Sequence, residues 1–168
     1  MREISEDTCS SIKGFMRGLN TEQISDYMNV IVEKQPYILS LMVKYHVNAD
    51  KDSSLGIVNF VFAFIVRCYE YEYGEFPLIA DATLVKFHDE KRKYMDLELN
   101  RKSQNKVISG LRREAGQRKL LEFIDGIIQD NRILQTDLLE SNLKSFRVGV
   151  YMTILLLNEE LEKQSGGR

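Results

Sequence analysis

The chain has 168 residues, of which 43% are apolar and 29% charged, with a formal net charge of −2. That length suits one domain, which at this size buries roughly 70% of the surface its unfolded form exposes and needs no covalent staple. Two prolines and ten glycines exclude collagen-like and linker-rich chains, and the small total charge singles out no class of partner.

The opening residues, MREISEDTCSS, are charged and polar with no apolar core, unlike a secretion signal. Ser5 predicts the cap of a first helix reaching about Leu19, with Ile12, Phe15, Met16 and Leu19 at helical spacing. Gly14 and Gly18 weaken that helix by roughly 1 kcal/mol each relative to Ala, or admit a close neighbour. Asn20 predicts a second helix with Gln23 in the capping-box position and a face of Ile24, Tyr27, Met28, Ile31 and Val32. Pro36 ends it and opens a third helix, because proline in the first turn costs no hydrogen bond. The third stripe is Tyr37, Ile38, Leu41, Met42 and Tyr45.

Leu55 to Tyr73 reads as a fourth helix, apolar nearly all round in its first half and therefore central, and Gly74 ends it. Its last part, YEYEYGEF, alternates like a strand but has no partner strand. Asp81 predicts the cap of a long charged helix to about Arg101, with pairs Asp89–Lys93 and Glu98–Lys102. A short helix from Lys106 to Ala115 stops at Gly116. Gln117–Asp130 follows with Leu120, Leu121, Ile124, Ile127 and Ile128 inward, and the last helix runs from about Asp137 to Lys163.

These elements predict an all-α fold, a single-domain irregular helical bundle of six to eight helices over residues 1–164, with 165–168 a flexible tail. The expected centre is Leu55–Val66 against Val148–Leu157, flanked by Ile24–Val32, Ile38–Tyr45 and Leu120–Ile128. The apolar runs 55–66 and 148–157 are about half the roughly 20 residues a membrane span needs, so no membrane is expected.

Two stretches echo each other. KQPYILSLMVKYH (34–46) and GQRKLLEFIDGII (116–128) both set a Gln ahead of an amphipathic helix. A polar connection and a strongly apolar helix follow each, Ile57–Val66 in one half and Val148–Leu157 in the other. Two pseudo-repeated helical hairpins produce this pattern, and so does any pair of amphipathic helices in an irregular bundle. A doubled hairpin points toward binding.

The chemistry-bearing residues are few. The histidines are His46 and His88, and Glu-x-x-His, HExxH, GxSxG, the Walker loop and GxGxxG are absent. No catalytic residue, metal ligand or cofactor is assigned, and surface or capping roles are expected for both histidines. Cys9 and Cys68 form no CxxC pair, which suits a reducing cytosol.

Charge is uneven. Residues 86–119 hold eleven Lys or Arg against five acids, between acidic flanks of −5 and −3. Lys91, Arg92, Lys93, Arg112, Arg113, Arg118 and Lys119 are the candidate anion or nucleic-acid contacts. Gly116 would let backbone amides at the start of the next helix face an anion. The same segment also reads as a solvated face, or one that docks on an acidic protein or on this chain's own acidic half in a dimer.

Tyr69 and Tyr73 lie one turn apart. They suit a partner interface if their hydroxyls face water, or the edge of a core if they do not. The expected function is a non-enzymatic cytoplasmic protein-interaction or regulatory module, self-association included. The alternative is an anion or nucleic-acid binder using 86–119, and a third is an enzyme around His88.

Overall fold

A computed structural model describes residues 2–38, 52–74, 78–95, 104–130 and 140–166. Those residues form seven α-helices and no strand: α1 (Glu6–Arg17), α2 (Thr21–Lys34), α3 (Asp52–Tyr73), α4 (Asp81–Met95), α5 (Gln104–Ala115), α6 (Arg118–Asp130) and α7 (Glu140–Gly166). A further helical turn begins at residues 36–38. The rest of the expected third helix, with Leu41, Met42, Tyr45 and His46, lies outside the described residues.

Local sequence explains most of the boundaries. The Ser5 side chain accepts from the Thr8 N–H and caps α1. At α2, the Asn20 side chain accepts from the Gln23 N–H while Gln23 accepts from the Asn20 N–H, both at 2.9 Å. This is the reciprocal pair of a capping box. Gly74 and Gly116 end α3 and α5 with φ of 92° and 64°, a region where side chains with a Cβ are strained. The aromatic–acidic alternation before Gly74 is helical.

Three boundaries differ from expectation. The α4 cap is Ala80, whose carbonyl accepts from the Thr83 and Leu84 amides, so Asp81 is the first helical residue. The last helix continues through Gly166, two residues into the expected tail. The Asp89–Lys93 and Glu98–Lys102 pairs fall outside the described side chains.

The core forms where α3 and α7 supply continuous apolar surface. Val61 to Val66 are all buried, as are Val148 and Val150 to Leu157. Phe62 and Phe146 meet edge-on with ring centroids 6.3 Å apart, bridging the two helices. Two elements left out of the expected core belong to it. α1 contributes Cys9, Ile12 and Met16, and α5 contributes Leu111 and Ala115 while running closest along α7. Phe15, expected inward, is exposed because the buried α1 face follows 9, 12 and 16.

The halves share one plan. Gln35 and Gln117 each precede a helix, and both are buried. The Gln117 side-chain carbonyl accepts the Ile4 N–H at 2.7 Å, and that of Gln35 accepts the Ile79 N–H at 3.3 Å. Ile4 and Ile79 stand two residues before α1 and α4. Four residues on, Thr8 donates to Glu72 of α3 at 2.6 Å, and Thr83 donates to Glu160 of α7 at 2.7 Å. Gln117 of the second half therefore holds the start of the first, and Gln35 of the first holds the start of the second. The helix packing repeats too: α1 and α2 lie on α3 as α4 and α5 lie on α7. Besides Thr153, which bonds back to Gly149 within α7, the buried polar side chains among the described residues are these five: Thr8, Gln35, Thr83, Gln117 and Glu160. A polar group buried in this way is costly unless paired, and each of these is paired.

Candidate functional site

Most of the described candidate side chains of the basic segment stand in ion pairs. Arg112 of α5 bonds Asp125 of α6, and Arg147 of α7 approaches the other oxygen of the same carboxylate at 3.5 Å. Burial draws the Arg112 pKa down, but Asp125 more than offsets this and holds it above its ordinary value. Lys91 pairs with Glu114. Lys119 reaches Glu6 at 3.2 Å and Glu122 at 3.7 Å, and its hydrogen bond to Glu6 raises its pKa. Arg118 stands 3.6 Å from Glu122. Among the described residues only Arg113 of this set has no ion-pair partner. The side chains of Arg92 and Lys93 lie outside the description.

The helix start after Gly116 already holds an anion. The Glu3 carboxylate accepts the Lys119 N–H at 2.8 Å, so one of the amides that could face an external anion is bonded to the chain's own acid. Glu6, Glu114 and Asp125 reach these basic groups from other helices, while Glu122 lies on α6 itself.

Of the two candidate tyrosines, Tyr69 is buried and Tyr73 is half-buried. Tyr69 is 1% exposed, and its hydroxyl donates to Asn158 of α7 at 2.5 Å. Asn158 in turn donates to the Ala115 carbonyl at 2.7 Å, closing the end of α5. Burial pushes the Tyr69 hydroxyl well above its ordinary pKa. Tyr73 donates to the Arg2 carbonyl and accepts from Gln117 at 3.3 Å. For Tyr69 the core-edge alternative holds, because the whole ring is closed off by α7. Tyr73 lines the joint between the halves. His88 is exposed on α4, with Nδ1 3.9 Å from an exposed Asp89 oxygen.

A groove of about 590 Å³ opens between α1, α2, α3 and α6. Ile24, Ile57, Phe60 and Ile127 form its apolar floor, all but Ile127 only partly buried. Lys13, Arg17 and Asp130 stand at its edge, with both basic groups 3.8–4.0 Å from the Asp130 carboxylate. Gly56 lies on the floor, and a Cβ added there meets nothing within 4 Å. His88 lines no part of this groove. Sequence periodicity marked Ile24, Ile57, Phe60 and Ile127 as core. The glycine turned toward open space inside an apolar helix was the one available sign of a concavity.

The surfaces around the two glutamine junctions differ. Tyr37, Leu78 and Val85 beside the Gln35 junction are exposed and apolar. The corresponding positions beside Gln117 are Lys119, Glu3 and Ser10. Among the described residues, no group of His, Cys, Asp and Glu side chains could hold a metal ion, and no helix is long and apolar enough to cross a membrane. The chain matches no protein-family model, no curated protein and no solved structure.

Proposed function

We propose that the protein is a non-enzymatic cytosolic interaction module that holds an apolar segment of a partner protein in the groove between α1, α2, α3 and α6. The observation that carries this reading is the groove floor: Ile24, Ile57 and Phe60 remain partly open to solvent around a glycine with free space above it. An amphipathic helix laid there buries its apolar stripe on those side chains, the usual form of helix-in-groove recognition. The exposed apolar rim at Tyr37, Leu78 and Val85 adds a second surface of the same character. Engagement of the basic residues by Glu3, Glu6, Glu114, Glu122 and Asp125 weighs against the nucleic-acid alternative.

The test has two arms. Partner capture is compared between the wild type and Gly56→Trp, which fills the groove without touching the core. Proteins retained by the wild type and lost with Gly56→Trp, at a melting temperature no lower than that of the wild type, support the groove. In the second arm, duplex DNA is titrated across a salt series beside an Arg112/Arg113/Arg118/Lys119→Ala variant. Absence of binding at low salt is expected. A log–log slope near about −3.6, lost in the variant, would move the function to the basic segment.

A further inference from the structure

We propose that Cys9 and Cys68 are a latent dithiol, a modification site at which a small-molecule disulfide closes one intramolecular cross-link tying α1 to α3. They are the only cysteines of the chain, 59 positions apart, so a single intramolecular product exists. Both are free and 0% exposed, on two helices packed against each other. The neighbouring Cys9 thiol, together with burial, pushes the Cys68 pKa far above the ordinary thiol range. The level of the two helices is held independently by the Thr8–Glu72 hydrogen bond, one residue from Cys9 and one turn from Cys68. Next to that bond opens a recess of about 510 Å³ lined by Ser5, Thr8, Ser11, Tyr71 and Glu72, which brings solvent close to the pair.

The raised pKa makes the closed pair slow, since the thiolate is the nucleophile. Reaction starts when α1, twelve residues long with Gly14 in its second half, lifts locally from α3. One deprotonated cysteine sulfur attacks oxidised glutathione. The glutathione S–S bond breaks, a mixed disulfide forms and one glutathione thiolate leaves. The second cysteine loses its proton and attacks the protein sulfur of the mixed disulfide, releasing the other glutathione. Two protein thiols are oxidised and one glutathione disulfide is reduced to two thiols.

The experiment incubates the folded full chain with oxidised glutathione at pH 8, traps remaining thiols with an alkylating agent in denaturant, and measures intact mass. A parallel sample is refolded in a glutathione redox buffer. The expected product is 2 Da lighter than the reduced chain and takes up no alkylating agent. It yields one linked tryptic peptide holding Cys9 and Cys68, and dithiothreitol restores the 2 Da. Its far-ultraviolet circular dichroism matches the reduced protein, and its Tm is higher by about 5–10 °C, because the cross-link restrains a long loop of the unfolded chain. A cross-link with native helicity in either sample upholds the proposal. Two glutathione adducts, two alkylated thiols in both samples, or a cross-linked chain that has lost helicity overturns it. The Cys9→Ser and Cys68→Ser chains must each give no 2 Da loss. A loss in either would assign it to other chemistry and overturn the assignment.

Discussion

Gln117 reaches across 113 residues of sequence to accept the Ile4 backbone N–H at 2.7 Å, and Gln35 does the same for Ile79 in the other half. Each bond is buried, so removing the acceptor strands a backbone donor away from water. Gln117→Ala and Gln35→Ala should each cost about 1–3 kcal/mol. Urea unfolding checks this, with the larger loss expected at Gln117, which makes the shorter bond and also holds Tyr73. A change below about 0.5 kcal/mol at both positions would show that the junctions do not lock the halves.

Phe62 of α3 and Phe146 of α7 meet in the core. Phe62→Ala should cost roughly 3–5 kcal/mol, since the ring is 1% exposed and stacks edge-on against Phe146. Leu155→Ala, at a site 8% exposed, should cost roughly 2–5 kcal/mol. Thermal melting of either variant with no loss would displace these residues from the core.

Glu72 makes stability sensitive to acid. The Thr8 hydroxyl, followed by the charge and hydrogen bond of Arg2, holds its pKa below the ordinary 4.5 despite burial. A carboxylate depressed in the folded state binds its proton more readily when unfolded. Its contribution is therefore complete above pH 4.5 and is lost as pH falls from there through the folded value. Glu72→Gln should flatten this part of the stability–pH curve, measured by denaturant midpoints between pH 6 and the acid limb. An unchanged acid limb would remove Glu72 from the account.

The two halves supply an internal guide to surface tolerance. Leu78→Glu and Val85→Ser copy the residue types found at Glu3 and Ser10, and both sites are exposed. Stability should stay within about 0.5 kcal/mol, read by Tm. Partner capture that falls while Tm holds would mark that rim as part of the interaction surface.

Gly14 and Gly56 sit inside helices with nothing within 4 Å of an added Cβ. Ala at either position should stabilise by about 0.5–1 kcal/mol through helix propensity. At Gly14 this separates a helix-weakening glycine from one needed for close packing, and a destabilised Gly14→Ala would restore the packing role.

Most helices were readable in the sequence because their signals are local. Ser5, Asn20, Gly74 and Gly116 act within a turn of where they stand. The apolar runs 61–66 and 150–157 are long enough that burial follows from the sequence. The repeat was half visible. The paired Gln residues were found, but the second marker, Ile4-Ser5-Glu6-Asp7-Thr8 against Ile79-Ala80-Asp81-Ala82-Thr83, was not, although it stands in the sequence 75 positions apart. Each copy holds one large apolar residue among acidic, hydroxyl and alanine residues, too few to set an apolar periodicity.

Alone, the sequence determined the helical class, most helix ends and the apolar centre, because caps, glycines and 3.6-residue stripes depend on neighbours close in the chain. Only the tertiary structure decided where charges and hydroxyls point. Arg112 finds Asp125 and Lys119 finds Glu6, while Tyr69 turns to Asn158 and the helix start after Gly116 receives Glu3. Each of those pairings joins segments far apart in the chain or on different helices, set by how the helices pack, which no count along the sequence can show.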